Sequence, residues 1–483
     1  MRSLETLVIL KKIKIVVLAA ALLSIPAGVS QAALSFFVEP NNPWPGGWRN
    51  AAVNNMQTLV NMYNAYGDFG NGSIYVYYNA GIPTAQSGYG GWGASIGVGG
   101  TYPDVRVLLH ESSHWLGTGT YSAAWGGPAT TALMEQFEGV GAHLNGDGQH
   151  YWPYGENYGN ESSPINDRRH VALVYALRKD FGIGSTARPS SATVVTLNGN
   201  NPAGESGFNT PWQWNDNHFA QPGTRYTTGN FALRTPNGFP SWTFVGDALI
   251  VNNRLNPNGG LLFNGYGNTG VVTFKNLTLD GGTVKHDQFA QDLFQLAGKM
   301  TVVSPSSIIP ANGNIDVLSD IAGGTTLTIG PSGRQYHVRF LSGRNTFKGN
   351  LDVVGNFSLV DNANLDFLIL GNHVNNAITG ATAVSVALDG DFKLDLSGAS
   401  AMSGDSWSLV TASHTTYGRD FTVSGFTRTT PGIWTNSTGY SFSQATGALT
   451  YILPEPSSVA FIGMAGLGLL SGRRRPVRRG PMK

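Results

Sequence analysis

The chain has 483 residues, no cysteine and a formal net charge of +1 at pH 7. Without cysteine, the fold cannot use disulfides and a metal site cannot use thiolate ligands. The two ends, interpreted below as removable signals, carry net charges of +3 and +5, so the passenger between them carries −7. This acidic balance argues against nucleic acid as a partner.

Residues 1–32 are predicted to be a cleaved secretory signal peptide. Three lysines precede the apolar run IVVLAAALLSI, and the small-residue stretch AGVSQAA follows it. Positive, apolar and small residues in this order are typical of a signal peptide, and Ser30 and Ala32 place the cleavage after Ala32. The alternative is a membrane anchor, but the apolar run is shorter than the about 20 residues that a span needs. The protein is therefore expected to be exported.

Residues 33–185 are predicted to form an α+β domain. The apolar residues of 51–66 recur at helical spacing. The segments SIYVYYN and ASIGVGG are predicted strands, the second of them at a sheet edge. Further helices are predicted from about Pro103 to Gly117 and over 167–181, because proline favours the first turn and glycine ends a helix. The linker STARPSS follows the last helix.

The segment VRVLLHESSHWLGTGTY contains the pattern HExxH on a predicted helix. His110 and His114 are four residues apart, so they lie on one helix face and can bind one metal ion. Glu111 lies beside them, in position to act as general base on a water whose pKa the metal lowers. The alternative is a helix whose histidines only pack or face water.

In this motif and in the order of its elements, the domain resembles the zincin metallopeptidases. The resemblance implies a zincin-like α+β fold, a zinc cofactor and peptide hydrolysis. HESSHWLG also begins the longer metzincin motif, in which a third histidine would stand at position 120, where this chain has Thr120. The third ligand is therefore expected elsewhere, because a zinc ion with only two protein ligands would be weakly bound.

Five residues are candidates for the third ligand. His150 is favoured because it lies in the loop GDGQHYWPYGENY, whose aromatic residues are typical of a pocket wall. The gluzincin pattern, in which a second helix supplies a glutamate, would instead favour the segment ALMEQFEG. The alternatives to His150 are Glu135, Glu138, His143 and His170. The aromatic loop could also be a hydrophobic plug that closes the domain.

Three further residues of this loop are assigned supporting roles. Asp147 is predicted to hydrogen-bond a ligand histidine. Tyr151 or Tyr154 is predicted to donate a hydrogen bond to the oxyanion that develops during hydrolysis. The pattern HxWPYG after HExxHxxG is similar to that of exported bacterial proteins of unknown peptidase type, which often carry sugar-binding modules.

The chain from residue 186 onward is predicted to be all-β. Runs such as VVTFKNLTLD, YHVRFL and LDFLIL alternate apolar and polar residues, and turn residues separate them. We predict a parallel β-helix over 186–370, with a sandwich as the alternative, and a separate β domain over 371–452. The first stretch resembles autotransporter-like passengers. Four aromatic residues could stack on sugars or lie in the core, namely Trp212, Trp214, Trp242 and Tyr266.

Residues 453–483 are predicted to form a sorting segment. PEPSS, the apolar run VAFIGMAGLGLL and the basic stretch RRRPVRR follow one another, and basic residues after an apolar run act as a cytoplasmic stop. The three parts in this order resemble the PEP-CTERM sorting signal. The resemblance implies processing by an exosortase-type enzyme and display at the cell surface, in the outer envelope or in an exopolysaccharide matrix. A retained transmembrane helix is the alternative.

Three functions from different classes are compatible with these features. The favoured hypothesis is an exported zinc metallopeptidase that acts on a peptide or glycoprotein and is displayed on a β-rich stalk. The second is a carbohydrate- or matrix-binding surface protein with a catalytically inactive zincin-like domain, and the third is a purely structural passenger. The intact Glu111 favours the first hypothesis, whereas Thr120 in place of a third histidine favours the second.

Overall fold

The computed structural model describes residues 33–183, 194–199, 206–208, 213–216, 218–236, 241–263, 270–286, 293–330 and 336–452. The predicted signal peptide and the predicted sorting segment lie outside the described residues. Within those ranges, no helix has the length and apolar character needed to cross a membrane.

The described residues form two compact units. Unit 1 contains residues 33–133 and 143–183, and unit 2 contains Met134–Ala142 and the described residues from 194 onward. The sequence predicts that residues 134–142 belong to the first domain, which spans 33–185. They belong to unit 2 because the Phe137 ring packs 4.7 Å from that of Phe219 and the backbone amide of Val140 donates to Ser241 O at 3.1 Å.

Unit 1 combines a small sheet with helices, as the alternation of patterns predicts. Its strands are β1 Ser35–Val38, β2 Ser73–Tyr78, β3 Ala85–Gln86, β4 Ile96–Val98, β5 Asn145–Gly146 and β6 Tyr151–Trp152. Its helices are α1 Trp48–Tyr66, α2 Val105–Trp115, α3 Pro128–Glu138, whose last residues lie in unit 2, and α4 Pro164–Asp180, with a 3-10 turn at Gly90–Trp92.

The four-stranded sheet has the order β1-β2-β4-β3, and only β3 runs antiparallel to its neighbour. Strand β4, which contains the core of ASIGVGG, therefore lies inside the sheet, and its prediction as an edge strand is wrong. The edge position belongs to β3, a strand of two residues that is too short to produce a period-two pattern.

Helix α2 carries the HExxH pattern and begins two residues later than predicted. Asp104 is its N-cap, with an extended backbone and a side chain that accepts from the amide of Val107 at 2.8 Å. An aspartate at this position satisfies an amide that has no partner inside the helix. The helix ends at Trp115, and Gly117 takes the left-handed φ of 103° that only glycine adopts without strain.

Unit 2 is almost entirely β, apart from its part of α3. The strands up to residue 310 are β7 Val195–Thr196, β8 Ser206–Gly207, β9 Arg225–Thr227, β10 Ala232–Arg234, β11 Trp242–Phe244, β12 Ala248–Val251, β13 Gly260–Phe263, β14 Gly270–Asp280, β15 Thr283–His286, β16 Leu293–Ser304 and β17 Ser306–Ile309. The next are β18 Asn314–Val317, β19 Asp320–Gly323, β20 Leu327–Ile329, β21 His337–Phe340, β22 Thr346–Phe347, β23 Leu351–Val353, β24 Asn356–Leu359, β25 Asn364–Leu368 and β26 Ile378–Gly380. The last are β27 Val386–Leu388, β28 Asp391–Asp395, β29 Ser406–Ser408, β30 Thr415–Tyr417, β31 Thr422–Val423, β32 Thr427–Thr430, β33 Ile433–Thr435, β34 Tyr440–Ser443 and β35 Ala448–Tyr451.

Most of these strands belong to two long sheets in which every pairing is parallel. One has the order β26-β23-β20-β17-β15-β13-β10-β8, and the other follows β30-β27-β24-β21-β18-β16-β14-β12-β9-β7. Successive strands of the chain alternate between the two sheets, so each turn of chain adds one strand to each. Their pairing places apolar residues in register: Phe294, Ile315, Val338, Phe357 and Val386 form one buried column.

The predicted division at residue 370 does not coincide with a sheet boundary, because β26, β27 and β30 continue the two parallel sheets. The antiparallel sheet β29-β35-β34-β33-β32 begins later, at Ser406. Of the aromatic residues considered for sugar stacking, Trp214 and Trp242 are buried in the core of unit 2. Trp212 and Tyr266 lie outside the described residues.

Candidate metal centre

Helix α2 brings the two motif histidines together, as their spacing predicts. Their Nε2 atoms are 3.2 Å apart and their ring centroids 4.8 Å apart. The Nδ1 atom of His110 donates to Gly155 O at 2.9 Å, and that of His114 donates to Thr118 O, also at 2.9 Å. A carbonyl oxygen can only accept, so each Nδ1 carries the proton.

These hydrogen bonds leave an unprotonated Nε2 on each neutral ring. Burial lowers the pKa of His110 and of His114 to about 4, which keeps both rings neutral at physiological pH. Two nitrogen lone pairs that face each other at 3.2 Å repel unless a cation lies between them. Nitrogen ligands about 2.0–2.1 Å from a tetrahedral ion are themselves about 3.3 Å apart, so the observed spacing fits a bound metal.

His150 is the third member of this group. Its ring lies 5.4 Å from the His110 ring at an interplanar angle of 18°, and 5.5 Å from the His114 ring. Ligand atoms of the three histidines all lie within 4.8 Å of one another, so together they could hold a metal ion. The favoured candidate for the third ligand is thus the residue that the fold places beside the motif.

Asp147 holds His150 in place. The amides of Gln149 and His150 each donate to Asp147 Oδ1 at 2.7 Å, and the Nδ1 of His150 lies 3.2 Å from Asp147 Oδ2. These hydrogen bonds lower the pKa of Asp147 to about 2. The carboxylate therefore keeps the proton of His150 on Nδ1 and leaves Nε2 free for a ligand.

Glu111 is buried within the same helix, with 6% of its surface exposed. Burial raises its pKa to about 7, and the positive charge of Arg106 partly opposes this rise. A carboxylate with this pKa exchanges its proton near neutral pH, which suits a general base.

The histidines and Glu111 line one cavity of about 370 Å³ in unit 1. Its wall consists of residues from the β3 region, from α2 and the segments on either side of it, and from the loops on either side of β6: Thr84, Ala85, Gln86, Ser87, Thr101, Arg106, Val107, His110, Glu111, His114, Thr120, Gln149, His150 and Asn157. Sequence reasoning did not find Arg106, Gln149 or Asn157. Arg106 had a usable signal, since it precedes His110 by four residues and so lies on the same helix face.

The other candidates for the third ligand lie outside this metal group. Glu135 accepts from the amide of Gly141 at 3.0 Å, and His143 is exposed. His170 is buried, with Nδ1 2.8 Å from Tyr154 O and Nε2 3.2 Å from Leu109 O. Thr120 lines the cavity, but its hydroxyl donates to His114 O at 2.7 Å and so supports the end of the motif helix. In the described part of the chain, Glu138 does not join a metal group either.

The oxyanion role predicted for Tyr151 or Tyr154 is not supported, because neither residue lines the cavity. The hydroxyl of Tyr151 lies 3.1 Å from His170 Nδ1, inside the core of unit 1. The hydroxyl of Tyr154 accepts from Nη1 of Arg169 at 2.6 Å. Both rings are buried, so the aromatic loop contributes packing around the site rather than donors within it.

Comparisons with family models, with curated proteins and with solved structures find no match for this chain. The functional argument therefore depends on the geometry of the cavity in unit 1. That geometry comprises three histidines that converge on one point, a buried glutamate beside them and an open space that a ligand can enter.

Proposed function

We propose that this protein is an exported zinc-dependent hydrolase, and specifically a metallopeptidase of zincin type. The observation that supports it best is the facing pair of unprotonated Nε2 atoms on His110 and His114, with His150 beside them and Glu111 on the same cavity wall. A merely structural helix has no need for this combination.

Zinc is the ion that these ligands suit best. Three neutral imidazoles and no thiolate are typical of a catalytic zinc site, in which a fourth position stays open for water or substrate. When bound, zinc supplies a Lewis acid that polarises a carbonyl group and lowers the pKa of water.

The residues of the chain itself then have separable roles. Glu111 accepts a proton from the attacking water, and its burial holds its pKa in the range where it can also return that proton to the leaving amine. Gly155 O and Thr118 O fix the orientation of His110 and His114. Residues 84–87 of the β3 region line the cavity, and β3 is the edge of its sheet, so an extended peptide could pair with it.

The location and the partners follow from the two ends of the chain and from unit 2. We propose that the signal peptide exports the chain and that an exosortase-type enzyme processes the PEP-CTERM-like tail. Unit 2, with its stacked parallel strands, acts as a β-helical spacer that displays unit 1 at the cell surface, in the outer envelope or in the exopolysaccharide matrix. The substrate is a peptide or glycoprotein. The carbohydrate-binding alternative loses support because Trp214 and Trp242 are buried.

Metal content and peptide cleavage of the purified passenger test this proposal. We expect about one zinc ion per chain, and we expect His114→Ala and His150→Ala to lose it, while His143→Ala keeps it because His143 is exposed and lies outside the metal group. We also expect cleavage of members of a broad peptide library, inhibited by a chelator and restored by zinc. A passenger that binds no zinc, or that binds zinc and cleaves no peptide, would contradict the proposal.

A further inference from the structure

Arg106 occupies a position in the cavity that the proposed reaction does not yet explain. It lies four residues before His110 on helix α2, so it stands on the same face about 6 Å along the helix axis from the first candidate ligand. It is half-buried and lines the cavity together with the histidines and Glu111. The motif face of the helix thus presents a permanent positive charge next to the metal group.

Among the described residues, hydrogen bonds engage only one nitrogen of this guanidinium. Nη1 donates to Glu156 O at 2.8 Å and to Asn157 O at 3.2 Å. Within the described ranges, no hydrogen bond or ion pair involves Nε or Nη2 of Arg106. The guanidinium is therefore held in place by the loop at 156–157, while a set of parallel N–H donors is left for another partner.

The charge of Arg106 is also incompletely balanced by its neighbours. Its two protein partners are backbone carbonyls, not carboxylates. Burial raises the pKa of Glu156 to about 8, so this nearby acid is mostly protonated at neutral pH. An arginine that is fixed, partly desolvated and short of counter-charge suits a bidentate interaction with an incoming carboxylate.

We propose that Arg106 is a specificity-determining residue that binds a carboxylate group of the substrate peptide. This inference rests on the proposed peptidase function and adds a substrate class to it: peptides with an acidic group close to the scissile bond. Four helical residues rise about 6 Å, and an extended peptide advances about 3.3–3.6 Å per residue. The carboxylate therefore belongs to a residue one or two positions from the bond that is cleaved.

The carboxylate could come from an acidic side chain or from the C-terminus of the peptide. Two pairs of otherwise identical peptides distinguish these sources. The first pair has glutamate or glutamine next to the cleaved bond, and the second pair ends in a free acid or in an amide. The quantity to compare is the ratio of kcat/KM within each pair, because this ratio does not depend on the fraction of enzyme that is folded.

For the wild-type passenger we expect a ratio of about tenfold in favour of the acidic member of at least one pair, which is typical of a charge-assisted hydrogen bond at a half-buried site. Arg106→Gln should reduce this ratio to about one, and Arg106→Lys should retain part of it. Arg49→Gln is the matched control. Arg49 is also half-buried and donates to a backbone carbonyl, Val38 O at 3.4 Å, but it does not line the cavity.

Failure of this inference differs from failure of the proposed function. Cleavage by the wild type with equal kcat/KM for both members of both pairs would overturn the role of Arg106 and leave the peptidase intact. If no peptide is cleaved, the affinity of the metal-free passenger for the same peptides, measured by calorimetry, tests the carboxylate site. About tenfold tighter binding of an acidic member, lost in Arg106→Gln and kept in Arg49→Gln, would support the carboxylate site, and equal binding would overturn it.

Discussion

The motif residues of unit 1 and two ion-paired carboxylates of unit 2 have pKa values that are shifted for different reasons. In unit 1 the motif residues His110, His114 and Glu111 all have pKa values moved towards their neutral forms, with burial as the largest cause. In unit 2 the carboxylates Asp247 and Asp395 have lowered pKa values, and the largest cause is a hydrogen bond from a lysine. The first group faces a cavity, whereas the second group forms ion pairs at or near the surface.

This difference agrees with the proposal that unit 1 holds the active site and that unit 2 is a spacer. Keeping ionisable groups desolvated is costly, and it is useful where a proton or a metal ion must be exchanged. Ion pairs at a surface contribute little to stability, and the core of unit 2 depends instead on columns of buried apolar residues in register. We therefore expect chemistry and metal dependence in unit 1, and metal-independent packing in unit 2.

The largest expected effect is on catalysis. Glu111→Gln should lower kcat by about 10²–10⁴-fold, because loss of a general base has this magnitude. Zinc content should stay the same, since Glu111 is not one of the three histidines that form the metal group. Initial rates on a cleaved peptide and elemental analysis of the same sample check both parts.

A substitution in the core of unit 2 should have the opposite effect: it should lower stability and leave catalysis unchanged. Phe340→Ala removes a buried ring from unit 2 and should destabilise that unit by about 3–5 kcal/mol, while the rate per bound zinc stays unchanged. A Glu111→Gln variant with wild-type activity, or one that loses its zinc, would show that Glu111 has another role.

The second effect concerns where the metal contributes stability. Zinc at about 100 times its dissociation constant should stabilise the folded state by about 2.7 kcal/mol, which corresponds to roughly 100-fold slower hydrogen exchange. We expect a chelator to abolish this slowing of hydrogen exchange for the amides of helices α2 and α4. The exchange rates of the strands of unit 2 should not change. Exchange should be measured on the intact passenger, because a fragment cut near residue 184 would separate Met134–Ala142 from the rest of unit 2.

His114→Ala is the control for this experiment, since it should lose the response to the chelator altogether. Equal acceleration of exchange in β16 and β21 would mean that the two units do not differ in metal dependence. It would also remove the main argument for treating unit 2 as a spacer.

Sequence reasoning found the parts of the site that depend on local geometry. The proximity of His110 and His114 could be predicted, because residues four apart in sequence lie on the same face of a helix. His150 could be favoured over four alternatives, because a histidine among aromatic residues in a loop is unusual on a surface. The same loop misled the assignment of Tyr151 and Tyr154, since a sequence does not reveal which way a side chain points. Tyr151 and Tyr154 are buried against His170 and Arg169 through tertiary packing, which the sequence pattern does not show.

Two features of the fold also depend on tertiary contacts and could not be predicted from the sequence: the unit that the end of α3 packs against, and the strand register of unit 2. Helix α3 has an amphipathic pattern whichever unit it contacts, so the packing of Phe137 on Phe219 could not be inferred from the pattern alone. Parallel strands in unit 2 were predicted from short alternating runs, but the register that aligns Ile315 with Val338 comes from long-range pairing. Alternation shows which face of a strand is buried and does not show its partner.

The smallest expected effect is on the pH dependence of stability, and it involves Glu156. This side chain is fully buried, and its backbone has a left-handed φ of 58°. Within the part of the chain that the structure describes, neither carboxylate oxygen has a hydrogen-bond partner. Burial raises its pKa from an ordinary value of 4.5 to about 8, and the nearby carboxylates of Asp167 and Glu161 act in the same direction. In the folded protein the group is therefore protonated at neutral pH.

The consequence for stability has a definite sign. Between pH 4.5 and about 8 the unfolded chain gives up the proton of Glu156 while the folded chain keeps it. The free energy of unfolding therefore falls as the pH rises through this window, and it levels off above pH 8. Glu156→Gln removes this loss, so unit 1 of the variant should be more stable than the wild type at pH 8 by about 1–2 kcal/mol and equally stable at pH 4.

Hydrogen exchange of the most protected amides in unit 1, measured at several pH values and corrected for intrinsic rates, checks this expectation. Glu39→Gln is the matched control, because the hydrogen bond from Tyr75 lowers the pKa of Glu39 and the variant should show no gain at high pH. If Glu156→Gln and the wild type show the same pH dependence, Glu156 is ionised in the folded protein. Arg106 would then have a full counter-charge nearby, and both the contrast between the units and the argument for a carboxylate-binding arginine would be weaker.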